Sequence, residues 1–160
     1  MSQVIVVGSF NVDHVWRCAE LPAVGATIAG QYATGPGGKG FNQAVAAARA
    51  GAHTAFVCSL GDDPGGTLAR HLASAEGIGL YAEASDQPTG TAGIYVDARG
   101  RNSIVIGAGA NGSLSAAVLV ADPGLLAGAR VLLAQLESPV ESIEAALAQA
   151  RAVGLITMLN

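Results

Sequence analysis

The sequence predicts an α/β fold: a mostly parallel β-sheet flanked by helices, with a small separate sheet beside it. Three observations carry that expectation. A continuous apolar run at Val4–Val7 and short, mostly apolar runs at His53–Leu60, Val131–Leu136 and Leu155–Leu159 read as strands buried on both faces, as parallel sheets require. Helical segments, several rich in alanine, stand between them and give the βαβ alternation. Two stretches, 14–34 and 91–107, mix apolar and polar residues at short range and read as half-exposed strands outside the main sheet.

Taken in order, Val4–Val7 ends at Gly8, and Ser9-Phe10-Asn11-Val12-Asp13 follows at its carboxyl end, where ligands bind in open α/β sheets. Within 14–34 the strand-like pieces are Val15–Cys18 and Thr27–Ala33, separated by Leu21-Pro22-Ala23-Val24-Gly25. Gly35-Pro36-Gly37-Gly38-Lys39-Gly40 is a glycine-rich turn running into a helix over Asn42–Ala50, which Gly51 closes. Such a turn lets backbone approach a ligand, and the unpaired N–H groups of the helix start are expected to face it. After the strand His53–Leu60, Asp62 and Asp63 cap a helix that Pro64 opens, with Leu68, Leu72 and Ala75 as its apolar stripe. Thr91–Asp97 and Asn102–Gly107 form a hairpin around Ala98-Arg99-Gly100-Arg101. Ser113-Leu114-Ser115 starts a short helix that breaks near Asp122-Pro123-Gly124. Val131–Leu136 carries Glu137 at its carboxyl end, Ser138-Pro139 opens the helix Val140–Val153, and Leu155–Leu159 is one more core strand.

The 160 residues are 51% hydrophobic and 12% charged, with a formal net charge of -4. That suffices for one sizeable core and leaves no basic surface to hold nucleic acid or an anionic membrane, so the expected partner is a small molecule. Cys18 and Cys58 are too few and too separated for a disulfide framework or a metal knuckle; they read as reduced, buried thiols of a soluble cytoplasmic protein. The N-terminus has a polar pair before its strand instead of a signal peptide, and no apolar run reaches membrane-spanning length.

Asn11, Asp13, the loop Gly37 to Asn42, and Glu137 are distant in sequence, yet each follows a predicted core strand or opens a helix on one rim. An ionised Asp13 accepts hydrogen bonds only and suits adjacent hydroxyls, while Asn11 and Asn42 both donate and accept. That is the chemistry of a polyol site. The loop also satisfies G-x-G-x-x-G, but so does Gly107-Ala108-Gly109-Ala110-Asn111-Gly112 in a chain with 22 glycines. A dinucleotide fold would place that fingerprint after the first strand, where Gly8-Ser9-Phe10-Asn11 stands. A phosphate-binding P-loop fails because Gly40, not Ser or Thr, follows Gly38-Lys39. His14, His53 and His71 have no metal-ligand spacing, and no serine sits in a nucleophile elbow. A non-catalytic sugar-binding or oligomerisation module is the alternative reading, with a dinucleotide-binding domain behind it.

Gly8 to His14, Pro36 to Ala44, Gly61-Asp62-Asp63, Ala108 to Asn111 and Gln135 to Pro139, with Gly51 and Gly61 at the matching spacing after Asn42, make the chain resemble the ribokinase (PfkB-type) family of sugar kinases along essentially its whole length. The resemblance implies a ribokinase-like three-layer fold with a small β-sheet lid built within 14–34 and 91–107. It implies ATP-dependent phosphorylation of a pentose or related sugar, ribose first, with Mg2+ and in many members a monovalent cation such as K+. Asn11, Asp13, Gly38, Lys39, Asn42 and Glu137 then line the sugar site, Lys39 also reaches the transferred phosphate, and the lid builds a homodimer. In that family the catalytic base, on a Gly-Ala-Gly-Asp motif, and the nucleotide pocket lie in the second half. Residues 1–160 therefore read as a truncated, sugar-binding N-terminal part with no catalytic residue, cofactor site or metal site of its own, inactive alone. The strand Leu155–Leu159 would carry an apolar flank that an intact molecule covers, which favours association. Phe10 and Phe41 stand where the family carries smaller residues, and each either narrows the pocket or packs behind the loop.

Overall fold

The computed structural model describes residues 4–115 and 117–160; the polar pair Ser2-Gln3 lies outside it. In chain order come β1 (Val4–Val7), β2 (Asn11–Arg17), β3 (Gln31–Gly37), α1 (Lys39–Arg49), β4 (Thr54–Gly61), α2 (Pro64–Ala75), β5 (Gly79–Ser85), β6 (Gly90–Val96) and β7 (Asn102–Gly107). A 3-10 turn (Gly109–Ser113) follows, then α3 (Ala117–Ala121), α4 (Pro123–Ala127), β8 (Val131–Ala134), α5 (Val140–Ala152) and β9 (Ile156–Leu159).

The main sheet has the order β5-β4-β1-β8-β9, with all four pairings parallel. Its two faces are separated by the period-two alternation of strand side chains. Ile5 and Val7 face a cluster with Ile143, Ala146, Leu147 and Ala150 of α5. Val6 faces the opposite cluster with Phe41 and Ala44 of α1 and Ala69 and Ala73 of α2. Helices on both faces make the three layers that the buried runs predict, and β4 is buried at all eight positions.

The second sheet has the order β3-β2-β6-β7, antiparallel at both edges and parallel between β2 and β6. It is assembled from the two stretches expected to stand apart, but β2 starts at Asn11 and β3 runs on through Gly37. Half of the predicted glycine turn is therefore edge strand, and α1 begins at Lys39, three residues earlier than expected.

Other differences have local causes. β5 is not predicted: it is the edge strand of the main sheet, partly exposed, and Gly79, Ala82, Glu83 and Ala84 give it neither β-branching nor a buried run. In α2 the small residues Gly66, Ala69 and Ala73 are fully buried, Leu68 and Leu72 only partly, and Ala75 is exposed, so the inward stripe is shifted towards the residues that permit close packing. Asp63 is the N-cap there, accepting from the Gly66 N–H at 2.8 Å. The short helix expected after Ser113 begins at Ala117, where the Ser115 hydroxyl accepts the Ala117 N–H, and the break at Asp122 divides α3 from α4. Cys58 is buried, and burial pushes its thiol up to about 12. Cys18 is only partly buried, contrary to expectation. β9 leaves Ile156, Met158 and Leu159 exposed.

Candidate functional site

The strand order turns at β1: the chain builds outward to β4 and β5 on one side and then returns to β8 and β9 on the other. In open α/β sheets such a switch point opens a crevice at the carboxyl ends of the strands. Here Ser9 follows β1, Glu137 follows β8, and the two meet. The fully buried Ser9 hydroxyl donates to Glu137 Oε2 at 2.7 Å, and the Lys39 backbone N–H donates to the same oxygen at 2.9 Å. Gly40 N–H donates to Ser9 Oγ at 3.3 Å, and Phe41 N–H to the Ser9 carbonyl at 2.9 Å.

The donors at the start of α1, expected to be unpaired and to face a ligand, are therefore taken up by Ser9 and Glu137. A carboxylate at this position also complements the helix dipole. The glycines serve the same docking. Gly38 holds φ at +88°, and a Cβ there would come to 2.8 Å from the Ser9 carbonyl oxygen. A Cβ on Gly40 would lie 2.6 Å from the Ser9 nitrogen. The close approach that these glycines permit is that of helix to strand end.

Asn11 and Asp13 are two apart on β2, so their side chains share a face. The Asp13 carboxylate lies across the Cα of Gly37, so closely that a Cβ on Gly37 would overlap both oxygens. Burial pushes the Asp13 carboxyl above its ordinary range, the negative Glu137 nearby pushes the same way, and His14 partly offsets both. Two carboxylates thus sense each other at the rim. Glu137 commits Oε2 to Ser9 and Lys39 N–H, and its other oxygen lies 3.9 Å from Lys39 Nζ, whose side chain is largely exposed.

Of the residues expected to line the site, Asp13, Gly38, Lys39 and Glu137 come together, with Asn11 beside Asp13. Asn42 follows Lys39 by three residues on α1, which makes the two neighbours on the helix surface. It lies in the first turn of α1, is exposed, and lines a cleft of about 280 Å³ with Pro36, Phe41, Val45, Arg49, Leu72 and Glu76, across which Arg49 pairs with Glu76. Phe10 and Phe41 pack edge to face with centroids 5.1 Å apart inside the core, so both sit behind the loop.

Gly37, at the start of the loop expected on the rim, stands opposite Asn11. Three further participants were not singled out as site residues from sequence. Ser9 is one, although its place directly after β1 marks it. Gly90 flanks Asn11 from β6, and a Cβ there would overlap the amides of Asn11 and Asn111. Asn111 reaches back across 100 residues to Phe10 and Asn11, a contact that no local pattern announces.

The pfkB family carbohydrate kinase profile matches residues 1–160. The chain is 40% identical to the ribokinase of Haemophilus influenzae over 158 residues, covering 97% of this chain and 52% of that protein. Its fold matches the solved ribokinase of Giardia lamblia with a TM-score of 0.92 and 32% identity, covering 100% of this chain and 51% of that one. It matches Arabidopsis thaliana ribokinase, solved with ribose and ATP, with a TM-score of 0.80 and 32% identity, covering 99% and 53%. The chain spans about half the length of the curated relatives it matches. It belongs to the pfkB family of carbohydrate kinases.

Proposed function

We propose that this chain is the sugar-binding part of a ribokinase-type kinase that phosphorylates a pentose, ribose first, with ATP. The observation that carries the reading is the meeting of Asp13 and Glu137 at the β1/β8 switch point, with the Asn11 amide on the same strand face as Asp13. Ionised carboxylates accept from vicinal hydroxyls, and an amide N–H supplies the complementary donor. The likeness to a ribokinase solved with ribose and ATP supports the same substrates.

In this reading Lys39 supplies the positive charge beside the sugar-binding carboxylates that reaches the transferred phosphate, its ammonium being exposed at the rim. Phosphoryl transfer also needs a base for the attacking hydroxyl and groups that neutralise the γ-phosphate. On the same reading the base, the ATP site and the residues that would hold Mg2+ belong to the second half that the family resemblance implies, whose Gly-Ala-Gly-Asp motif does not occur in these 160 residues. The four-stranded sheet acts as a lid over the sugar, and its exposed Tyr32, Ile104, Val105 and Ile106 supply the apolar surface for a second copy.

The test is an ADP-release assay with ribose, ATP and Mg2+. The chain alone gives no turnover above background, and adding the carboxyl-terminal half of a ribokinase restores it. Turnover by the chain alone contradicts the division of labour. Failure of every sugar to support turnover in the complemented protein contradicts the kinase assignment.

A further inference from the structure

Asn111 makes three hydrogen bonds at the entrance to β2. Its Oδ1 accepts the Phe10 N–H at 3.0 Å, and its Nδ2 donates to the Phe10 carbonyl at 3.0 Å and to Asn11 Oδ1 at 2.8 Å. The sense of this clasp follows from the backbone. A peptide N–H only donates and a peptide carbonyl only accepts, so the atom of Asn111 facing Phe10 N is oxygen and the atom facing Phe10 O is nitrogen. That nitrogen donates, so the atom of Asn11 opposite it is its oxygen.

The Asn11 amide is thereby fixed with its oxygen turned inward and used. Asn11 is 4% exposed as a residue, yet its Nδ2 has no partner among the described residues and is not sealed from solvent. The clasp also needs Gly90, since a Cβ there would overlap Asn111 Nδ2 and Asn11 Oδ1. Asn111 is 2% exposed and held on the 3-10 turn, where its own N–H donates to the Ala108 carbonyl at 3.1 Å.

We propose that Asn111 is a positioning and specificity-determining residue: it sets the Asn11 side chain as an obligate donor at the rim, beside the obligate acceptors Asp13 and Glu137. The inference rests on the sugar-binding reading for its ligand, and it adds a polarity to that site. The bound polyol must offer a hydroxyl oxygen as acceptor to Asn11 and hydroxyl hydrogens to the two carboxylates. A group that only donates, such as an ammonium in an amino sugar, is refused at Asn11 and accepted at Asp13.

Side-chain amide proton exchange, read by NMR on the 15N-labelled full chain, tests the orientation without any ligand. Both Asn111 amide protons are bonded and Asn11's are free, so Asn111 exchanges more slowly by about tenfold or more, the factor one net buried hydrogen bond gives. Equal exchange, or protection at Asn11, overturns the proposal. Added ribose then shifts the Asn11 amide signals and leaves those of Asn111. Protection at Asn111 with no response to any sugar leaves the orientation standing and removes the sugar reading instead. In Asn111→Asp the new carboxylate still accepts from Phe10 N–H but now repels the Asn11 oxygen, so the Asn11 amide turns over and its protons become protected. A folded Asn111→Asp chain whose Asn11 protons stay free also overturns the proposal; should that variant fail to fold, the parent exchange measurement decides alone.

Discussion

Gly37→Ala separates two reasons for a glycine. Gly37 does not hold a positive φ, so its backbone accepts any residue, and the nearest atoms that a side chain there would meet belong to the Asp13 carboxylate lying over its Cα. Gly35, two residues earlier on the same strand, also lacks a positive φ, and a Cβ there meets nothing within 4 Å. Overpacking without room to relax costs about 1–3 kcal/mol, whereas a tolerated Gly→Ala change stabilises by about 0.4–1 kcal/mol through the unfolded chain. Urea unfolding, followed by the fluorescence of Trp16, the sole tryptophan, which stacks on Tyr95 and meets Tyr32 at a tilt in the second sheet, gives both values. Gly37→Ala is expected to destabilise and Gly35→Ala to be neutral or stabilising. In an Asp13→Ala background the cost of Gly37→Ala disappears, a coupling of at least about 1 kcal/mol. A Gly37→Ala cost no larger than that of Gly35→Ala, or one unchanged by Asp13→Ala, refutes the reasoning.

Four further outcomes are expected. Asp13 has a raised pKa in the folded chain, so the folded state holds its proton more tightly and stability falls as pH rises from the ordinary 3.8 through the raised value; Asp13→Asn removes that fall and is more stable than the parent at pH values above the window, and superimposable pH–stability curves contradict this. Glu137→Gln lowers the Asp13 pKa, because one of its two upward influences is gone, and a carbon-detected NMR titration of the Asp13 carboxyl that stays fixed contradicts this. Ser9→Ala strips a hydroxyl from a part-buried carboxylate contact and costs about 1.5–3 kcal/mol in urea unfolding; a loss below half a kcal/mol contradicts the docking role. Asp63→Ala costs about 2–3 kcal/mol, as a lost helix cap plus the stranded Thr89 hydroxyl and N–H. Burial works against the ionised Asp63, but hydrogen bonds from Gly66, Thr89 and Gly65 outweigh it and hold its carboxyl low, so its contribution is present above 3.8 and lost as pH falls through the depressed value.

The main sheet was legible because β1, β4 and β8 are buried runs whose composition admits one interpretation, and the rim followed because parallel strands put their carboxyl ends together. β5 escaped notice because an edge strand reading Gly-Leu-Tyr-Ala-Glu-Ala-Ser is only partly buried and has neither a β-branched residue nor a sustained apolar run. The site was legible in its charges and not in its frame. Asp13 and Glu137 are recognisable as carboxylates after strands, but the hydroxyl that ties Glu137 to α1, the glycines under Asp13 and Asn11, and the Asn111 clasp are long-range contacts that exist only once the two sheets are placed. For the same reason the donors at the start of α1 looked open to a ligand in sequence, while in the fold Ser9 and Glu137 already take them up.

The most direct test of the polyol site is titration calorimetry of ribose into the full chain, the Gly35→Ala control and the Asp13→Ala variant. The account predicts saturable binding to the parent and to Gly35→Ala, lost in Asp13→Ala. Absence of binding in the parent, or an Asp13→Ala titration that overlays it, contradicts the account.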